Sequence, residues 1–116
     1  MIFQGISRIF STRDSMQFET IGVFWKELSA KYGIENLRGL GYNWTESTIE
    51  YVIGLKEGVI DGANCTVELP DEGWKEVCGK TNALGEIYDK IYKDGNLKYE
   101  IEMFSESGDC VIQYFR

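Results

Sequence analysis

The stretch Lys98-Tyr99-Glu100-Ile101-Glu102-Met103-Phe104 decides the fold prediction, because apolar and other residues alternate along it as they do in a β-strand. One face of this strand is apolar: Tyr99, Ile101 and Met103. The other face combines carboxylates with a ring: Glu100, Glu102 and Phe104. On a solvent-exposed strand these carboxylates carry no functional meaning. In a cavity, an acid beside aromatic rings is typical of a receptor for an organic cation.

Length and composition indicate one globular domain that spans residues 1–116. Apolar residues make up 43% of the chain and charged residues 27%, which is ordinary for a globular protein, while the aromatic share of 14% is high. The formal net charge is −7. Direct nucleic-acid binding is not expected, since phosphate recognition requires clustered Lys and Arg.

The sequence shows no signal for a membrane, a metal or a cofactor. No apolar run reaches the roughly 20 residues that span a bilayer, and residues 1–5 do not resemble a secretory signal, so we expect a cytoplasmic protein. The three cysteines are widely spaced and the chain has no histidine, so neither a zinc site nor a disulfide framework is predicted. No cofactor is expected. Without histidine the commonest general base is missing, and no catalytic residue is assigned.

The order of the predicted elements is strand, helix, strand, strand, written twice. In the first half, strands at residues 2–10, 37–44 and 49–55 accompany an amphipathic helix that ends at Gly33. In the second half, strands at 74–78, 98–104 and 109–115 accompany a helix that ends near Gly95, and a further extended segment covers 65–69. The prediction is an α+β fold of two β-α-β-β repeats, about 1–57 and 64–116, related by a pseudo-twofold axis, with an antiparallel sheet and two helices.

Residues 37–55 align with residues 97–115 at a constant offset of 60, which suggests an internal duplication. In this alignment Tyr42 occupies the position of Glu102, and Trp44 that of Phe104. The alternative is that any two hairpins with polar turns look alike. A duplicated domain would hold a ligand in a cleft on its pseudo-twofold axis.

Four-residue turns would place Tyr42 opposite Tyr51 in the first hairpin, and Glu102 opposite Val111 in the second. The far side of the second hairpin would then carry a large apolar set: Tyr99, Ile101, Met103, Cys110, Ile112 and Tyr114. An apolar surface of that size must be covered, either by helices or by a second chain in a homodimer.

The chain resembles the GyrI-like effector-binding domain, the ligand-sensing part of AraC-type and MerR-type multidrug regulators that also occurs as a free-standing protein. The resemblance covers nearly the whole chain and depends on the order of several short motifs. These are Phe3-Gln4-Gly5-Ile6-Ser7, Ile21 with Trp25 and Leu28, Gly41-Tyr42, Glu50-Tyr51-Val52-Ile53-Gly54, Leu69-Pro70, Gly73-Trp74, residues 85–92, and Ile101-Glu102-Met103-Phe104. The last strand departs from the family pattern, with Gln113 where a Glu is common.

The resemblance implies a pocket between sheet and helices that takes hydrophobic cations, with its acid at Glu102. We therefore expect a binding module for hydrophobic cationic small molecules, a drug or effector sensor without its own DNA-binding domain. The predicted ligand-binding residues are one acid and five rings: Glu102, Trp25, Tyr42, Trp44, Tyr51 and Phe104. Trp74 and Tyr88 are assigned to the core.

Three alternatives remain open at this point. Some relatives of the family are hydrolases, so Glu102 near Tyr42 or Tyr51 is also compatible with a general base in a small hydrolase that acts on a strained or electrophilic aromatic compound. Acidic relatives can bind a protein partner, which makes an inhibitor the other candidate. In the third alternative the residues have no binding role: Glu102 is a solvated acid on an edge strand, and Trp25 and Tyr51 are ordinary core residues.

Overall fold

A seven-stranded antiparallel sheet with two helices forms the protein in a computed structural model that describes all residues 1–116. The strands are β1 (Ile2–Ser11), β2 (Leu37–Tyr42), β3 (Thr48–Leu55), β4 (Cys65–Glu68), β5 (Lys75–Lys80), β6 (Tyr99–Phe104) and β7 (Asp109–Phe115). The helices are α1 (Gln17–Tyr32) and α2 (Leu84–Tyr92). The strand order is β4-β1-β3-β2-β6-β7-β5, and every neighbouring pair is antiparallel. The predicted α+β class is confirmed.

Both helices pack on one side of the sheet, which we call the helix face. A row of paired residues marks it across the four central strands: Ile53, Gly39, Glu102 and Ile112. The buried residues Phe24 and Trp25 of α1 pack in one core cluster with Ile53, and α2 packs in another with Ile112. Neither helix is both long and apolar enough to cross a bilayer.

The opposite side of the sheet, the far face, has its own apolar cluster. Its buried residues come from five parts of the chain: Phe3, Leu40, Val52, Leu69 and Ile101. The segment from Leu69 to Trp74 links β4 at one edge of the sheet to β5 at the other, and Leu69 packs in this cluster. The ring centroids of Trp74 and Tyr99 lie 6.1 Å apart. The chain itself therefore covers much of the far face.

The register of both hairpins differs by one residue from the prediction. Tyr42 pairs with Glu50 rather than Tyr51, and Glu102 pairs with Ile112 rather than Val111. In the first hairpin Asn43 adopts a left-handed conformation (φ 52°) and interrupts the ladder before the turn. In the second, the pairing of Phe104 with Cys110 leaves five residues in the turn.

A one-residue shift reverses the face of every side chain on a strand. Consequently Cys110, Ile112 and Tyr114 do not join Tyr99 on the far face, as predicted, because they share the helix face with Glu102. The offset of 60 is wrong for the same reason, because it matches Tyr42 on the far face with Glu102 on the helix face. The single large apolar surface that suggested a homodimer is divided between two faces, so a homodimer remains only a prediction.

Candidate functional site

A cavity of about 480 Å³ lies between the helix face and the two helices. Both helices and strands β3 and β6 contribute to its lining, which is mostly apolar and aromatic. Phe18 and Tyr92 line it and are themselves 58% and 40% exposed, so the cavity opens to solvent beside them. Its volume is typical of a small-molecule site.

The alternation of β6 points Glu100, Glu102 and Phe104 into this cavity, as the sequence indicates. Two glycines of β2 leave room for the polar groups. A Cβ atom at Gly41 would lie 2.8 Å from Oε1 of Glu100, and a Cβ at Gly39 would overlap the hydroxyl of Tyr51. Side chains at these positions would therefore fill the space that the carboxylates and phenols occupy.

Glu102 lies at the centre of a buried hydrogen-bond network. The hydroxyl of Tyr51 donates to its Oε1, and the hydroxyl of Tyr88 donates to its Oε2 at 2.8 Å. The indole Nε1 of Trp25 donates to the Tyr51 oxygen at 2.9 Å. Both oxygens of Glu102 thus accept a hydrogen bond from the protein, and the carboxylate is held in a fixed orientation.

Glu100 is a second buried carboxylate, and it is less fully satisfied. Its Oε2 accepts a hydrogen bond from the Tyr92 hydroxyl at 3.3 Å, and its Oε1 accepts none from the protein. The rings of Tyr92 and Tyr88 stack with centroids 5.8 Å apart, one helical turn apart on α2. One oxygen of Glu100 is therefore available to a bound molecule.

Neither carboxylate has a positively charged partner. Glu100 and Glu102 are each only 6% exposed, and the four ion pairs of the protein all involve other residues. Burial and the neighbouring charge of Glu102 raise the pKa of Glu100 well above its ordinary value, although the hydroxyls of Tyr92 and Tyr88 act in the opposite direction. Burial also raises the pKa of Glu102, although the hydroxyls of Tyr51 and Tyr88 act in the opposite direction.

The phenols that hold Glu102 stay protonated at neutral pH. Burial and the adjacent carboxylates raise the pKa values of both Tyr51 and Tyr88 well above the ordinary tyrosine value. They therefore act as hydrogen-bond donors and not as bases. An ionised carboxylate buried with only neutral donors still carries a desolvation penalty of several kcal/mol.

The cavity brings together five of the six predicted ligand-binding residues: Glu102, Trp25, Trp44, Tyr51 and Phe104. The rings of Trp25 and Phe104 meet edge to face, with centroids 4.9 Å apart. Trp25 and Tyr51 are buried core residues and also line the cavity. Ligand binding by this set remains a prediction.

Tyr42 is the exception, because it lies on the far face. Its hydroxyl donates to Oε2 of Glu50 at 2.5 Å, and its ring stacks on Tyr99 with centroids 6.4 Å apart. The one-residue difference in hairpin register accounts for this position. Tyr42 therefore takes no part in the cavity.

Three residues of the hydrogen-bond network in the cavity were not predicted as site residues from the sequence: Glu100, Tyr88 and Tyr92. Strand alternation does place Glu100 beside Glu102, so the signal was present. Tyr88 and Tyr92 are four residues apart on a helix, which aligns them on one face. Their roles depend on whether that face of the helix points into the cavity. Tyr88 is a core residue, as predicted, and in addition its hydroxyl donates to Glu102.

Comparison of the chain with family models, with curated proteins and with solved structures gives no significant match. The resemblance to the GyrI-like domain therefore depends on the order of its motifs alone and remains a prediction.

Proposed function

We propose that this protein is a binding module for hydrophobic cationic small molecules. The observation that carries the proposal is a pair of buried carboxylates, Glu100 and Glu102, which line an aromatic cavity and have no positively charged partner in the protein. A bound cation would supply the missing charge. Its hydrophobic part would be held by the rings of Trp25, Trp44 and Phe104.

The energetics favour a cation over a neutral ligand. A cation over an aromatic face gains roughly 0.5–2 kcal/mol per ring, depending on its desolvation. A nearby carboxylate adds an attraction that is stronger than in bulk water, because Glu100 and Glu102 are each only 6% exposed. Neutral molecules of the same shape gain only the apolar contact. The cavity should therefore select for charge and for a flat apolar body more than for one particular molecule.

As a sensor, the protein would act in the cytoplasm and would not contact DNA through its own surface. The net charge of −7 supports the absence of direct DNA contact, since DNA phosphates repel an acidic surface. A protein partner is the proposed route for any effect on transcription. The motif order of a GyrI-like effector-binding domain supports a role of this kind.

We also propose that the two halves are β-α-β-β repeats related by a pseudo-twofold axis. Gly41 pairs with Tyr51 in the first hairpin, and Glu102 pairs with Ile112 in the second. Each residue of the second pair follows its counterpart in the first pair by 61 positions. Leu40 and Ile101 are displaced by the same 61 residues and pair with each other between β2 and β6. Pairing between equivalent residues is what a twofold axis between two antiparallel strands requires.

A hydrolase acting on a strained or electrophilic aromatic compound is the second candidate. One observation favours it: Oε1 of Glu100 is free of protein donors and the pKa of Glu100 is raised, which suits a general acid or base. Glu102, the acid predicted for this role, has both oxygens occupied by phenols. Turnover of such a compound, lost in Glu100→Gln, would support this candidate.

Binding is tested by titration with benzyltrimethylammonium and with its uncharged carbon isostere, neopentylbenzene. Two of the three tryptophans, Trp25 and Trp44, line the cavity, so intrinsic fluorescence reports on binding. We expect saturable binding of the cation and at least about tenfold weaker binding of the isostere, corresponding to roughly 1.4 kcal/mol. Equal binding of the two compounds would contradict the proposal.

A further inference from the structure

We propose that the preferred ligand is a dication, with one cationic nitrogen on Glu100 and a second beside Glu102. This inference rests on the proposed function and specifies the class of ligand. Both carboxylates belong to one wall of the same cavity, on strand β6. The site therefore presents two carboxyl groups on a single rigid element, and each can pair with one positive charge.

The spacing of residues 100 and 102 along β6 fits two separate charges. Residues i and i+2 of a strand have Cα atoms about 6.6–6.8 Å apart and side chains on the same face. Glu102 is fixed by Tyr51 from β3 and by Tyr88 from α2, and Glu100 is contacted by Tyr92, further along α2. Tyr88 lies close to both acids, but Tyr51 bonds only Glu102 and Tyr92 only Glu100. The two carboxylates therefore cannot converge on one small cation without losing one of these bonds.

The hydrogen bonds assign different tasks to the two acids. Glu102 already accepts a bond at each oxygen, so it offers mainly its charge to a ligand. Glu100 keeps Oε1 free of protein donors while it is 94% shielded from solvent. A free acceptor on a buried carboxylate favours a ligand nitrogen that carries N–H groups. The ligand should therefore have an ammonium or amidinium group near Glu100.

Every titratable group that faces the pair is neutral or anionic. Tyr51 faces it from β3, and Tyr88 and Tyr92 face it from α2. On β7, Tyr114 lies opposite Glu100, and Cys110 lies close enough to be affected by the charge of Glu102. The contribution from α1 is Trp25, which carries no charge.

A single cation would therefore balance only one of the two acids. The other would remain protonated, consistent with the elevated pKa values of the pair. A dication would allow both carboxylates to ionise and to form a charged contact each. This gain is available only to a ligand with two charges and is absent for a monocation of the same shape.

The test compares two amines of nearly identical shape, 1,4-bis(aminomethyl)benzene and 4-methylbenzylamine, in the intact protein at pH 8. Their dissociation constants are measured by calorimetry with wild type, Glu100→Gln and Glu106→Gln. Glu106 is exposed in the turn after β6, so its variant is a control for the loss of one negative charge from the whole protein. Benzyltrimethylammonium is titrated in parallel and reports on the cation site itself.

We expect the diamine to bind wild type at least about tenfold more tightly than the monoamine. Glu100→Gln should abolish this preference, and Glu106→Gln should keep it. Equal affinities of the two amines in wild type, in a protein that binds benzyltrimethylammonium, would overturn the dication inference and leave the binding module intact. Failure to bind benzyltrimethylammonium would instead remove the proposed function. The ligand comparison in wild type requires no variant, so a folding defect in Glu100→Gln would not weaken it.

Discussion

Gly41 lies directly opposite Glu100 in the ladder between β2 and β6, and its missing side chain leaves the space in which the Glu100 carboxylate lies. A Cβ atom at Gly41 would come within 2.8 Å of Oε1, closer than real Cβ atoms approach another group. The position of the free acceptor in the cavity thus depends on a residue of the neighbouring strand. The glycine at position 41 of β2 therefore determines where the carboxylate of Glu100 can lie in the cavity.

Replacement of Gly41 by Ala should displace Glu100 and weaken cation binding. Overpacking of this kind typically costs about 1–3 kcal/mol of stability. The matched control is Gly85→Ala in α2, where an added Cβ meets nothing within 4 Å and alanine favours the helix by up to about 1 kcal/mol. Urea denaturation measures the stability of each variant, and fluorescence titration measures its affinity for the cation. Unchanged stability and affinity in Gly41→Ala would show that Glu100 does not need this space.

Tyr88→Phe should lower the free energy of unfolding by about 1–3 kcal/mol, because it leaves one oxygen of buried Glu102 without its donor. Tyr92→Phe serves as the comparison. Its hydrogen bond to Glu100 is longer, at 3.3 Å, and Tyr92 is 40% exposed, so water can replace the lost donor. Chemical denaturation measures the free energy of unfolding of both variants. An equal or larger loss in Tyr92→Phe would contradict the central position of Glu102 in the network.

The pH dependence of stability should report on Glu100. Its pKa is raised in the folded protein above the ordinary value of 4.5, so the folded state retains a proton that the unfolded chain releases. This contribution is fully present below pH 4.5 and is lost as the pH rises through the folded pKa. Each unit of elevation corresponds to about 1.4 kcal/mol.

Glu100→Gln removes this contribution, so the ligand-free variant should match wild type near pH 4 and exceed its stability at pH 8. Glu50 and Asp109, whose pKa values are lowered, give the opposite dependence, but they do so equally in both proteins. Denaturation at a series of pH values measures the difference between the two curves. A constant difference across this range would mean that Glu100 titrates at its ordinary pKa.

The main elements of the fold were predictable because their signals are local. The alternation of residues 99–104 correctly assigned Glu102 and Phe104 to a common face, and the spacing of apolar residues before Gly33 correctly identified α1. The hairpin registers were not predictable in the same way. They depend on a left-handed Asn43 and on a turn of five residues, neither of which changes the hydrophobic pattern.

The register explains why the site was only partly predicted. A one-residue shift moved Tyr42 to the far face, whereas Trp44, in the loop beyond the strand, still reaches the cavity. Tyr88 and Tyr92 became recognisable as site residues only when the position of α2 over β6 was known. Contacts between residues from distant parts of the chain are tertiary properties, and local patterns carry little information about them.

The most direct test of the proposed cation site is the affinity of Glu102→Gln for benzyltrimethylammonium, measured by fluorescence titration beside wild type and Glu106→Gln. Because glutamine keeps the size of the side chain and removes its charge, we predict at least about tenfold weaker binding, with the affinity for neopentylbenzene unchanged. The exposed control, Glu106→Gln, should bind like wild type. Equal affinity of Glu102→Gln and wild type for the cation would contradict the account, because the buried carboxylate would then contribute nothing to recognition of the charge.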